Sequence, residues 1–216
     1  MFRGDASTDV LRLRSLTQPS TPKMEYGETH MSQELFHWIK GETDEDSFNI
    51  LRKIVFEHQI LGGNGQIRGG FNCVCFTEDP THSFHKFTSR YKPFGICVSK
   101  EWVFEKGGRP VIYQPDSEYD ELGLSHKWRH VRYEPNGEPP IDFLWEREWR
   151  LQVEKLELPP GKACIVVPDN SWATKLLVEH RRNEEEIINH NYFVYGELRP
   201  MLGQSEFYYD IRVLDV

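Results

Sequence analysis

The densest chemistry in this chain lies where acids and guanidiniums alternate among large apolar side chains. Residues 143–151 read Phe-Leu-Trp-Glu-Arg-Glu-Trp-Arg-Leu. In a strand, neighbouring side chains point to opposite faces and residues two apart share one. A strand running from Glu146 to Val153 would turn Glu146, Glu148 and Arg150 one way, and Arg147 and Trp149 the other. Two carboxylates side by side raise each other's pKa, and perturbed acids cluster at catalytic and binding sites. The same string also suits a solvated edge strand, with Glu148 and Arg150 forming a same-face ion pair worth little if exposed.

Other candidates are scattered along the chain. His37 stands between Phe36 and Trp38, either aimed at a ligand or hydrogen-bonded as a core histidine. The glycine-rich stretch from Gly62 to Gly70 has no Walker lysine and opens no helix after a strand, so it reads as a mobile turn. Arg68 within it offers either a bidentate grip on a pyrophosphate or an ordinary surface charge. Two basic runs carry interleaved aromatics, His85 to Lys92 and His126 to Arg132. Such runs suit single-stranded nucleic acid, an anionic cofactor or plain solvated surface. The four cysteines, Cys73, Cys75, Cys97 and Cys164, lack the paired spacing of a zinc site. They read as reduced core thiols, with no disulfide framework and no metal.

These groups need a scaffold. A chain of 216 residues, 38% hydrophobic and 13% aromatic, suits one domain with a real core. The formal charge of −8 argues against nonspecific coating of nucleic acid but leaves room for a local basic groove. No apolar run approaches the roughly 18 residues of a membrane span, and the start lacks the order of a secretory signal. A cytoplasmic protein with no membrane partner is expected.

Residues 1–30, with the run Gln18-Pro19-Ser20-Thr21-Pro22, read as a flexible tail before a single domain over 31–216. A strand is expected over Glu34 to Ile39. A helix follows from a Thr43 cap to about Gln59, with Asp44, Glu45 and Asp46 complementing its dipole. Strands are expected over Phe71–Glu78, Phe94–Ser99, Pro110–Gln114, Val131–Glu134 and Ala163–Val167. Further strands are expected at Tyr192–Tyr195 and Phe207–Leu214. Pro80 to Phe87 and Lys100 to Glu105 read as short helices, and Asn170 caps a longer one reaching about His180, which Glu184 to His190 continues or restarts. Strands outnumber helices without regular alternation, which favours α+β.

Several pieces in order resemble a family. Phe36-His37-Trp38 and its helix are followed by Gly70-Phe71-Asn72-Cys73-Val74-Cys75-Phe76-Thr77-Glu78. Next come Tyr91-Lys92-Pro93-Phe94-Gly95-Ile96-Cys97-Val98-Ser99-Lys100-Glu101-Trp102 and Glu146-Arg147-Glu148-Trp149-Arg150. Over about residues 34–153 this resembles the AbiGi-type abortive-infection proteins, whose layout is similar to the ADP-ribosyltransferase fold of the DarT type. The resemblance implies an α+β domain with a split, mostly antiparallel sheet and flanking helices.

It also implies roles. His37, with Trp38 beside it, would grip the nicotinamide ribose of NAD; Phe76 and Thr77 would lie near the nicotinamide ring; Arg68 would hold the pyrophosphate. Glu148 would be the catalytic carboxylate, with Glu146 the first acid of a Glu-x-Glu pair. A carboxylate on a ribose hydroxyl stabilises the oxocarbenium-like state formed as nicotinamide leaves. The resulting expectation is an NAD-dependent ADP-ribosyltransferase of bacterial phage defence or a toxin–antitoxin system. It would act on a protein or nucleic-acid acceptor and be paired with an antitoxin partner. The alternative is a non-catalytic antitoxin or regulatory binding protein that keeps the fold.

Overall fold

Alternation along the first strand sets the two faces of the molecule. A computed structural model describes residues 33–65, 67–78, 92–159, 161–195 and 207–214. The elements run β1 (Glu34–Trp38), α1 (Asp44–Glu57), β2 (Gln59–Leu61), β3 (Cys73–Thr77), β4 (Gly95–Ser99), α2 (Lys100–Glu105), β5 (Arg109–Pro110) and β6 (Ile112–Gln114). They continue as β7 (His130–Arg132), β8 (Glu148–Gln152), β9 (Lys155–Glu157), β10 (Ala163–Val167), α3 (Asn170–Tyr195) and β11 (Asp210–Val213). The tail expected over 1–30, the helix expected from Pro80 to Phe87 and most of the first basic run lie outside the described residues.

Seven strands form one sheet in the order β11-β10-β4-β1-β3-β8-β5, antiparallel throughout except for the parallel pair β10–β11. The chain is therefore mixed α+β, with a large, mostly antiparallel sheet and flanking helices. β1 pairs with β4 along its whole length, from Glu34↔Ser99 to Trp38↔Gly95. Toward β3 the register pair is Phe36↔Thr77 alone, so the ladder opens between these two strands.

One face of the sheet carries Leu35, Val74, Phe76, Ile96, Trp149 and Ile165, packed under Phe48, Leu51 and Val55 of α1, Trp102 and Val103 of α2 and Leu176 of α3. Each such buried side chain contributes roughly 1.5–3 kcal/mol of transfer free energy. The other face holds two smaller clusters: Phe36, Trp38, Cys97 and Val166, and Ile67, Cys73 and Trp128. Within the first, the Phe36 and Trp38 rings stack at 5.1 Å. Gly95 makes that possible, since a Cβ there would sit 2.7 Å from the Trp38 ring. All four cysteines are free thiols.

Three expectations change. α1 stops at Glu57 because His58 turns left-handed at φ 53, and β2 and β9 then pair as a separate two-stranded sheet. The stretch from Pro110 to Gln114 is two strands with different partners: β5 joins β8, and β6 joins β7 in parallel. Residues 192–195 continue α3, because a helix already propagating adds one hydrogen bond per residue and outweighs their strand-favouring composition. No helix among the described residues is long and apolar enough to cross a membrane.

Candidate functional site

β8 lies against β3 in full register, Cys73↔Gln152 through Thr77↔Glu148. Phe36, Thr77 and Glu148 therefore share one face, and Cys75 and Arg150 share it with them. Glu146 does not belong to this strand. It ends a 3₁₀ turn over Leu144–Glu146, and Arg147 is left-handed at φ 42, so the side-by-side presentation of Glu146 and Glu148 is lost. The Thr77 hydroxyl donates to the Glu146 backbone carbonyl, which fastens the turn to the end of β3.

Glu148 is occupied. Arg150 donates from Nε to Oε1 at 2.7 Å and from Nη2 toward Oε2 at 3.4 Å. Its Nη1 donates to the carbonyls of Trp128 and His130, both at 2.9 Å. The Glu148 and Arg150 side chains are 12% and 6% exposed. The Glu148 backbone N–H donates to the Tyr113 hydroxyl at 3.0 Å. Burial, then the Glu148 charge, push the Cys75 thiol up to about 12. Burial likewise takes Tyr113 up to about 12. Burial works against the charge of Arg150, yet Glu148 outweighs it and the guanidinium is held above its ordinary value. The cluster is thus a neutralised, hydrogen-bonded clamp joining β8 to the segment that carries Trp128 and His130.

His37 lies on the other face. It pairs with Ile96 in register, its ring meets Phe76 edge-on at 6.0 Å, and Nδ1 donates to the Cys75 carbonyl at 2.8 Å. That bond sits where the β1–β3 ladder has opened. Burial lowers the His37 pKa, against the pull of that carbonyl, so the ring is neutral near pH 7. His37 and Glu148, to which the resemblance gives roles on one NAD molecule, therefore do not face each other, because strand alternation puts them on opposite sides of the sheet.

The remaining candidates divide similarly. Trp38 shares the Glu148 face but is committed to Phe36 and Gly95. Phe76 is 2% exposed and packed in the main core. Arg68 forms an ion pair with Asp116 and donates to that residue's carbonyl at 2.8 Å, with its guanidinium 4.1 Å over the Tyr119 ring. Tyr119 in turn meets His130 edge-on at 5.1 Å. Arg68 therefore reaches the segment that Arg150 clamps, but its charge is already paired. The structure unites Thr77 with Glu148 and leaves His37 and Phe76 behind the sheet.

Residues beyond the sequence reading also matter. Glu78 accepts from Trp149 Nε1 at 2.6 Å and pairs with Lys100 at 2.9 Å, in surroundings where both charged side chains are nearly buried. Glu78 sits within the Cys73–Glu78 run already singled out, yet nothing local signals a partner 22 residues on, at Lys100. An open groove of about 320 Å³ is lined by His58, Lys155, Glu157 and Tyr208, and none of the candidate residues reaches it. Among the described residues, no three His, Cys, Asp or Glu side chains converge as metal ligands. No protein-family model, curated protein or solved structure matches this chain.

Proposed function

We propose that the chain is a non-catalytic regulatory binding protein, of antitoxin or phage-defence type, built on an ADP-ribosyltransferase-like sheet. The observation that carries this reading is the state of Glu148. Its carboxylate is nearly buried, and both oxygens face the guanidinium of Arg150, so its charge serves to anchor the 112–132 segment. A ribose hydroxyl would have to enter beside that guanidinium, at a carboxylate only 12% exposed, and the charge it met would already be offset by Arg150, which weakens its hold on an oxocarbenium-like state.

A surface suited to a protein partner supports the same reading. The last turns of α3 expose Ile188, Tyr192, Phe193 and Val194, with Phe193 91% exposed. Exposed apolar clusters of this kind mark interaction sites. The acidic turn Glu184-Glu185-Glu186 precedes them, and the net charge is −8. Together they fit a protein partner with an apolar groove and a basic rim.

A second reading, NAD-dependent ADP-ribosyl transfer to a protein or nucleic acid, is favoured by the strand order. β1, β3 and β8, which carry His37, Thr77 and Glu148, are consecutive in the sheet, and the ladder opens between β1 and β3. One experiment separates the two. Purified protein is incubated with NAD and nicotinamide release is followed by chromatography, with Glu148→Gln beside the wild type. The expected result is no turnover above buffer by either and a lowered melting temperature for the variant. Turnover by the wild type that disappears in a variant of unchanged stability would overturn the binding-protein reading.

A further inference from the structure

The seven-stranded sheet ends on two strands of unlike character, β5 and β11. β5 is two residues long, and its second residue, Pro110, has no N–H to offer. The Pro110 carbonyl already receives Arg129 Nε at 2.9 Å. Short edges that carry proline and charge resist the addition of further strands. β11 lacks proline and any such tie. It runs Asp210-Ile211-Arg212-Val213, with two β-branched residues in four. Among the described residues, no strand lies on its outer side.

Alternation identifies the groups on that outer side. Leu214 N–H donates to the Val167 carbonyl at 3.1 Å, so Leu214, Arg212 and Asp210 turn their backbone groups toward β10. Ile211 and Val213 turn theirs outward. The Ile211 and Val213 side chains pack on the main core, while Asp210 and Arg212 lie in register with Cys164 and Val166 on the opposite face. Arg212 is fixed there by Glu34, to which Nη1 and Nη2 donate at 2.9 and 2.7 Å, and its fork has further donors for another acceptor. Asp210 is exposed, and among the described residues it makes no ion pair.

We propose that β11 is a homodimer interface, pairing antiparallel with β11 of a second copy about a two-fold axis at Ile211. The strand is self-complementary in that register. Asp210 of each copy stands directly opposite Arg212 of the other, giving two opposite-charge pairs, and the outward groups of the two Ile211 residues exchange a pair of N–H···O bonds. An axis at Asp210 or at Arg212 would instead set like charges opposite each other, which is unfavourable. A two-fold axis normal to the sheet keeps the faces in place. Ile211 of both copies therefore stays on the helix-covered side, and the core continues across the join. The contact uses the same strand on both copies, so it closes as a dimer, and the guarded β5 edges at the two ends add no further copies. The pairing uses none of the groups around Glu148 and holds whether or not the sheet is catalytic.

The test is sedimentation velocity of the full chain over about 1–100 μM, joined to hydrogen exchange read by mass spectrometry. The wild type is expected to sediment at twice the chain mass at the upper end of that range. The amides of Ile211 and Val213 should gain protection as concentration rises. Asp210→Arg, at an exposed position, sets arginine against arginine twice and should raise the dimer dissociation constant at least about tenfold. Glu118→Arg makes the same change of charge on the exposed face of the turn Asp116–Glu121, and should dimerise as the wild type does. If Asp210→Arg melts early, the exchange pattern of the wild type decides alone. The proposal is overturned if the wild type stays monomeric throughout, or if well-folded Asp210→Arg dimerises as tightly as the wild type. Concentration-dependent protection that falls on the end of α3 and spares β11 would overturn it too.

Discussion

Arg150 answers three backbone or side-chain groups at once: the Glu148 carboxylate and the carbonyls of Trp128 and His130. Removing one member of a buried ion pair leaves the other charged and unsolvated, a larger loss than the pair itself was worth. Arg150→Met should therefore cost about 3–5 kcal/mol, read as a lower midpoint in urea denaturation. His37 makes a prediction of the opposite electrostatic kind. Its pKa is lowered by burial, so the unfolded chain takes up a proton below about 6.5 while the folded one resists. The stability this neutral ring contributes is complete above that pH and lost as pH falls, by up to about 1.4 kcal/mol per pH unit. His58 and His130 are shifted in the same direction. Melting temperature should fall between pH 7 and 5, and His37→Asn, whose amide still reaches the Cys75 carbonyl, should flatten that dependence. Local sequence made both residues visible as candidates. It could not assign them to a common or opposite face, because that depends on the register of β8 on β3 and of β3 on β1, nor could it see that Glu146 falls outside the strand. The left-handed Arg147 moves the start of β8 past Glu146, and a left-handed arginine carries no signature in the sequence.

Elements with strong local signals were legible. Thr43 caps α1 with a reciprocal box, accepting from Asp46 N at 3.1 Å while Asp46 Oδ2 accepts from Thr43 N at 3.0 Å. Thr43→Ala should cost about 1 kcal/mol of stability by thermal denaturation. The strands of Cys73, Gly95 and Ala163 were equally plain, since buried apolar runs of this length with β-branched residues have few alternatives. Less visible were pairings that only the assembled chain defines. β2 and β9 are short segments stabilised by each other, and β5 and β6 part at Val111 to serve different sheets. Gly95 shows how close two elements come: a Cβ there would meet the His37 carbonyl at 2.9 Å and the Trp38 ring at 2.7 Å. Gly95→Ala should be destabilising by about 1–3 kcal/mol, from crowding alone, and should alter tryptophan fluorescence as the Trp38 ring is displaced.

For the molecule as a whole, the division of labour falls between a pinned sheet and an exposed helix end. Phe193 is 91% exposed, so Phe193→Ser should change unfolding free energy by less than about 0.5 kcal/mol while weakening capture of a protein partner. A large loss of stability would mean that the ring is packed after all. Glu34 of β1 holds Arg212 of β11 through two bonds at 2.7 and 2.9 Å, which links early and late segments of the described chain. The strand order has a consequence during synthesis. β4 acquires its outer neighbour, β10, only after every other sheet strand except β11 has been made. Until residues 163–167 leave the ribosome, the nascent chain presents Gly95–Ser99 as an open hydrogen-bonding edge, the kind of surface that invites aggregation and chaperone capture.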